Sequence, residues 1–137
     1  MAIQAYSLSK EGYKQLSPNF RVREFRCRDG SDPIFVDDAL VSILQKIREH
    51  FGKALTITSG YRTPVHNKKS GGAAYSQHLY GRAADFKVSG VAPDVVAAYA
   101  ETLLPDRGGI GVYPPKAGRP NGWVHIDTRP EKSRWRG

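Results

Sequence analysis

Two histidines and an aspartate stand where one metal ion could collect them. The segment from Ser76 to Asp85 reads Ser-Gln-His-Leu-Tyr-Gly-Arg-Ala-Ala-Asp, and Val124-His125-Ile126-Asp127 follows near the end of the chain. Zinc takes imidazole nitrogen at about 2.0 to 2.1 Å and carboxylate oxygen at about 2.0 to 2.2 Å, and a catalytic site keeps one position for water. His78, Asp85 and His125, with an open fourth position, would make a hydrolytic zinc site.

The elements around these residues must turn them toward a common point. Arg82 to Val88 alternates as a strand does, with Ala83, Asp85 and Lys87 on one face and Ala84, Phe86 and Val88 on the other. Asp85 then points away from the apolar side. Trp123 to Asp127 alternates likewise, so Val124 and Ile126 face one way while Trp123, His125 and Asp127 share the opposite face. His78 is expected on a loop before Gly81, where the chain can bend to bring it to Asp85.

These residues fill the pattern SxHxxGxAxD, followed by a His in an aromatic-rich strand. On that pattern the chain resembles the zinc D-Ala-D-Ala carboxypeptidases and endopeptidases of peptidase family M15. Ser76, His78, Gly81, Ala83 and Asp85 occupy the fixed places of the first motif, and His125 occupies the place of the third ligand. Ser59-Gly60-Tyr61-Arg62-Thr63-Pro64 resembles the family's strand-end arginine block, whose Arg holds substrate. The likeness runs from Asn19 to Arg136. It is strongest to the short phage- or wall-associated members, through Asn19-Phe20 to Glu24-Phe25, the run Gly108-Gly109-Ile110-Gly111 and a Trp near the end.

The resemblance implies a hedgehog/D,D-peptidase-like α+β domain with a Zn2+ cofactor. It implies hydrolysis of a peptide bond in peptidoglycan stems or cross-links, of the D,D-carboxypeptidase or endopeptidase type. Many members carry a Glu or His two residues before the third ligand, where this chain has Trp123. The general base therefore has to be sought elsewhere. Asp127, on the strand face of His125, is the nearest carboxylate in sequence, and two readings of it stay open. It is the base that accepts the proton of the zinc-activated water, or the group that orients His125 through its other ring nitrogen.

Arg62 has a planar guanidinium suited to a bidentate grip on a substrate carboxylate. Ser76 caps a turn or hydrogen-bonds substrate. Trp123 is core packing or a wall of the substrate channel, and Tyr80 is a candidate polar contact to the cleft. His50, at the end of a helix, and His66, in a loop, are expected to be bystanders.

With 137 residues, 39% hydrophobic and 25% charged, one domain spanning 1–137 with a modest core is expected. The single Cys27 excludes an internal disulfide and a Cys-rich zinc ribbon. Without a CxxC partner or a flanking His, it reads as an ordinary half-buried thiol. The net charge of +8 favours polyanions. Anionic wall polymers such as teichoic acids are candidate partners beside the peptidoglycan peptide, whereas scattered basic residues without a binding motif give no reason to invoke nucleic acid. A monomer is expected. The N-terminus shows no signal peptide and no stretch could span a membrane, so synthesis in the cytoplasm and phage-type release to the wall is the expected route.

Residues 1 to 30 read as an irregular lead with apolar anchors Phe20, Val22 and Phe25. Asp37 to Phe51 repeats apolar residues at three and four, which predicts a helix stopping at Gly52. Leu55 to Ser59 reads as a strand, and Pro64 to Gln77 as a mobile flap without apolar periodicity. Pro93 to Leu104 predicts a second helix with Val95, Val96, Tyr99 and Leu103 buried. Gly108 to Tyr113 and Gly122 to Thr128 predict neighbouring strands in an antiparallel sheet.

Two readings from other classes compete. His125-Ile126-Asp127 imitates the HxD half of a 2-His-1-carboxylate iron oxygenase, although the remaining His would normally follow it. A non-catalytic zinc-containing wall-binding module is the other, and Trp123 is the feature that favours it.

Overall fold

The structure is a computed structural model in which residues 2–137 are described. Its centre is a five-stranded sheet of β5 (Leu55–Ser59), β6 (Ala83–Val88), β8 (Trp123–Asp127), β7 (Gly108–Tyr113) and β9 (Lys132–Arg136), in that spatial order. The first three neighbouring pairs are antiparallel, while β9 runs parallel to β7. The sheet is therefore mixed, and β9 was not foreseen: its alternation is carried by Ser133 and Trp135 among three cations, a pattern with little apolar signal.

One face of the sheet carries the core. Ala84 and Phe86 of β6, Ile110 of β7 and Val124 and Ile126 of β8 are buried there. They meet α2 (Asp38–Phe51), through Leu40, Leu44 and Ile47, and α4 (Pro93–Leu103), through Val96 and Ala100. Helix α2 matches its sequence pattern closely. The Asp37 carboxylate accepts the Ala39 N–H at its start, and Gly52 ends it in the left-handed conformation, at φ 62°.

The buried stripe of α4 is shifted from the expected one. Pro93, Val96, Ala97 and Ala100 face inward, Tyr99 and Leu103 are partly buried, and Val95 is 54% exposed. Two alanines on the inner face give a weak hydrophobic signal, so the larger Val95 misplaced the stripe.

The lead is not irregular. It holds β1 (Ile3–Ser7), the short helix α1 (Leu8–Glu11), β2 (Gln15–Ser17), β3 (Phe20–Arg21) and a 3-10 turn at Val22–Phe25. β1 pairs antiparallel with β4 (Pro33–Asp37), and β2 pairs with β3. Phe20, Val22 and Phe25 are buried, as their role as anchors requires. The expected flap at Pro64 to Gln77 begins as α3 (Pro64–Lys69), capped by Thr63, whose Oγ1 accepts the His66 N–H (3.2 Å). Thr-Pro at a helix start is a recognisable signal, but six residues offer no apolar period to support it. No helix among the described residues is long and apolar enough to cross a membrane.

Candidate active site

The face of the sheet opposite the helices carries the polar residues of β6 and β8. In the antiparallel register of these strands Asp85 lies directly across from His125, so strand alternation and pairing alone bring two of the three predicted ligands together. His125 Nδ1 is 2.9 Å from Asp85 Oδ1. The third arrives from a 3-10 turn at Gln77–Tyr80 rather than a loop. Ser76 Oγ accepts the His78 N–H (3.3 Å) at the start of that turn, and Gly81, at φ 71°, reverses the chain into β6. His78 Nε2 lies 3.4 Å from Asp85 Oδ2. One donor atom from each of His78, Asp85 and His125 falls within 4.8 Å of the others, a spacing a single ion can draw together.

The ring nitrogens are arranged for the same end. His78 Nδ1–H donates to the Gly60 carbonyl (2.8 Å), which turns Nε2 toward Asp85 and leaves that nitrogen as the one a metal ion could take. His125 Nε2–H donates to Asp127 Oδ2 (2.7 Å), leaving Nδ1 on the Asp85 side. Two imidazoles oriented by outer acceptors, together with a carboxylate, are a donor set that fits zinc.

Burial alone would raise the Asp85 carboxyl, but hydrogen bonds from His125 and His78 outweigh it and hold it well below the usual carboxylate range. For His125, burial works against the charged ring, yet the Asp127 and Asp85 carboxylates on its two sides push its pKa up. An ion arriving at Nδ1 takes the place of a proton there.

Asp127 is fully buried. Its Oδ1 accepts from the Gly109 N–H (2.9 Å), the Arg129 N–H (3.1 Å) and Arg129 Nε (2.8 Å), and its Oδ2 accepts from Arg129 NH2 (2.7 Å) as well as His125. The glycine run on β7 makes room for this. Gly109 pairs with Asp127 and Gly111 with His125. A Cβ on Gly109 would strike the Asp127 carboxylate, and one on Gly111 would strike the Trp135 indole, which lies 4.9 Å from the His125 ring.

A cleft of about 550 Å³ opens over these residues. Arg62 stands on its wall with Nε donating to Ser59 Oγ (3.1 Å), NH1 to Asn67 Oδ1 (3.3 Å) and NH2 to Asp85 Oδ2 (3.5 Å). Trp123 also lines it, stacked on Tyr113 with ring centroids 4.7 Å apart, and is thus a wall rather than core. Ser76 lines the cleft while capping the turn. Tyr80 is exposed, lies outside the lining and has the Arg82 guanidinium 5.5 Å from its ring centroid. Tyr75, at the end of the Gly-rich segment, lines the cleft instead.

Arg129, Trp135, Tyr113 and Gln77 also line the cleft without having been singled out in the sequence, and the 70–73 segment lines it as well. Arg129 follows Asp127 by two residues, which was its available signal. Trp135 had none, because β9 itself was not foreseen. Gln77 Oε1 is buried without a hydrogen-bond partner among the described residues.

Comparison with known proteins finds the chain similar in sequence to peptidoglycan peptidases. The chain is 33% identical over 88 residues to the probable peptidoglycan L,D-endopeptidase MepK of Haemophilus influenzae, covering 61% of this chain and 43% of that protein. It is likewise 33% identical over 104 residues to the peptidoglycan L,D-endopeptidase MepK of Escherichia coli K12, covering 71% of this chain and 53% of the relative. The chain thus spans about half the length of these relatives. The sequence profile described as peptidase M15 matches residues 16–127, and the chain belongs to that family.

Proposed function

We propose that the chain is a zinc-dependent peptidase that hydrolyses a peptide bond in peptidoglycan stems or cross-links. The observation that carries this reading is the convergence of His78, Asp85 and His125 on the floor of a cleft, with both imidazoles oriented by outer acceptors and Arg62 on the wall. Zinc held there would supply Lewis acidity for the scissile carbonyl and for the attacking water.

The chain's own residues do the rest. Gly60 and Asp127 orient the two rings so that each would have one nitrogen to hold the ion. Asp127 acts through His125: a buried carboxylate that already accepts from Gly109, Arg129 and His125 has little capacity left to take a proton from water. Arg62 NH2, only 3.5 Å from Asp85 Oδ2, would be available to grip a carboxylate of the peptide stem if Asp85 served as a metal ligand. Trp123 and Tyr113 form an aromatic wall against which the substrate backbone lies.

The L,D-endopeptidase names of the two relatives favour an internal bond between an L and a D centre over the terminal D-Ala-D-Ala bond. The net charge of +8 supports attraction to anionic wall polymers. The test is digestion of purified peptidoglycan by the wild-type protein, by His78→Ala and by wild type with chelator, with mass analysis of the fragments. Release by untreated wild type alone is expected, and the fragment masses name the bond. A wild-type protein that binds zinc and releases nothing is a wall-binding module, not an enzyme.

A further inference from the structure

The described residues hold a second group of metal-type donors, away from the cleft, in Cys27, Asp29 and His66. One donor atom of each lies within 4.8 Å of the others. The three come from two segments: Cys27 and Asp29 follow the 3-10 turn at Val22–Phe25, and His66 lies in the first turn of α3. No local spacing in the sequence joins them, which is why Cys27 reads as a plain thiol and His66 as a bystander until the fold is seen.

We propose that Cys27, Asp29 and His66 form a second zinc site that clips the 26–31 segment to the start of α3. A thiolate, a carboxylate and an imidazole are a donor set zinc accepts, and two of the three carry negative charge that balances the ion. The geometry around them is already converging. Thr63 Oγ1 sits 3.9 Å from Cys27 Sγ and donates to Asp29 Oδ2 (3.1 Å), so a neutral oxygen lies beside the centre as a fourth donor, with water as the alternative. The Thr63 N–H points at the same sulfur, at 3.5 Å.

The Asp29 carboxylate accepts from the Ser31 N–H (2.9 Å) and from Thr63 Oγ1 (3.1 Å), which hold it beside the sulfur. The sulfur is fully buried, whereas Asp29 is exposed and His66 half-exposed, so the ion would enter from the solvent side. Binding breaks the S–H bond of Cys27, sends that proton to solvent and forms the zinc–sulfur bond, with no change of oxidation state.

The position gives the clip a purpose. Thr63 follows Arg62 directly, and Asn67, one residue beyond His66, accepts from Arg62 NH1. An ion at Cys27, Asp29 and His66 would fix both ends of the stretch that holds the guanidinium in the cleft. The site stands on its own residues and does not depend on what the cleft cuts.

The test uses the whole chain, reduced, equilibrated with zinc and desalted, with metal counted per chain. Wild type is expected to retain about one zinc more than Cys27→Ser and about one more than His66→Ala, the latter at a half-exposed helix position that leaves the core intact. Substitution by cobalt separates the two centres, because Cys27 is the only cysteine in the chain. A near-ultraviolet sulfur-to-cobalt charge-transfer band should appear in wild type, persist in His78→Ala and vanish in Cys27→Ser. Equal zinc content in wild type, Cys27→Ser and His66→Ala, or a cobalt-loaded wild type without the thiolate band, would overturn the site.

Discussion

Asp127 and Asp85 lie on opposite sides of the His125 ring, with Asp127 Oδ2 2.7 Å from Nε2 and Asp85 Oδ1 2.9 Å from Nδ1. The two carboxylates differ in what else they touch. Asp127 is buried and clamped by Arg129 and the Gly109 N–H, while Asp85 faces the cleft beside His78 and Arg62. The ring is thereby held between a buried anchor and a carboxylate that faces the cleft.

Asp127→Asn preserves the shape of the anchor and removes its charge. Zinc affinity is expected to fall about 10- to 100-fold, the usual effect of losing an outer partner of a ligating His, with most turnover recovered at saturating zinc. Competition with a chromogenic chelator, run beside the activity assay, checks both. A large loss of turnover at unchanged zinc affinity would instead make Asp127 the base.

Arg62→Lys keeps the charge but loses the planar fork. A charge-assisted hydrogen bond is worth about 1.5–3 kcal/mol, so the ratio kcat/KM on a stem peptide should fall by about 10- to 100-fold. The same substitution should matter far less on a substrate whose stem carboxylates are amidated. Equal losses on both substrates would remove Arg62 from carboxylate recognition.

Gln77 offers a sharper split between stability and binding. Its Oε1 is buried and has no partner among the described residues, so Gln77→Met, of similar length, should leave thermal stability unchanged or raise it. If the oxygen receives a substrate N–H, KM rises by about 2- to 10-fold at constant kcat, matching a neutral hydrogen bond of about 0.5–1.5 kcal/mol. Michaelis kinetics and a melting curve decide it.

Gly109→Ala tests the close approach of β7 to the site. The added methyl meets the Asp127 carboxylate, which His125 and Arg129 hold in place, and overpacking of this kind costs about 1–3 kcal/mol. Urea unfolding should show that loss, together with weakened zinc binding. An unchanged midpoint would mean that β7 and β8 separate freely.

Much of this was legible in the sequence because its signals were local. Asp85 and His125 each sit on a strand with clean alternation, so the face they share follows from period two, and Ser76 before His78 announces the capped turn. The helix Asp38–Phe51 has the longest apolar period in the chain and was placed to within one residue.

What escaped depends on pairing across distance. β1 and β4 acquire their identity from each other, and β9 from lying along β7. Arg129 and Trp135 become site residues only once those strands bring them to the cleft, and no spacing along the chain brings Cys27 near His66.

The central claim is that His78, Asp85 and His125 hold the ion on which hydrolysis depends. Its most direct measurement is peptidoglycan hydrolysis by metal-stripped protein as zinc is titrated back, in wild type and in His78→Ala at matched folded fraction by circular dichroism. Activity should be lost on stripping and return in step with zinc bound by wild type, and His78→Ala should stay inactive throughout. Full hydrolysis by the stripped protein, or restored hydrolysis in His78→Ala at the same zinc concentration, would contradict the assignment.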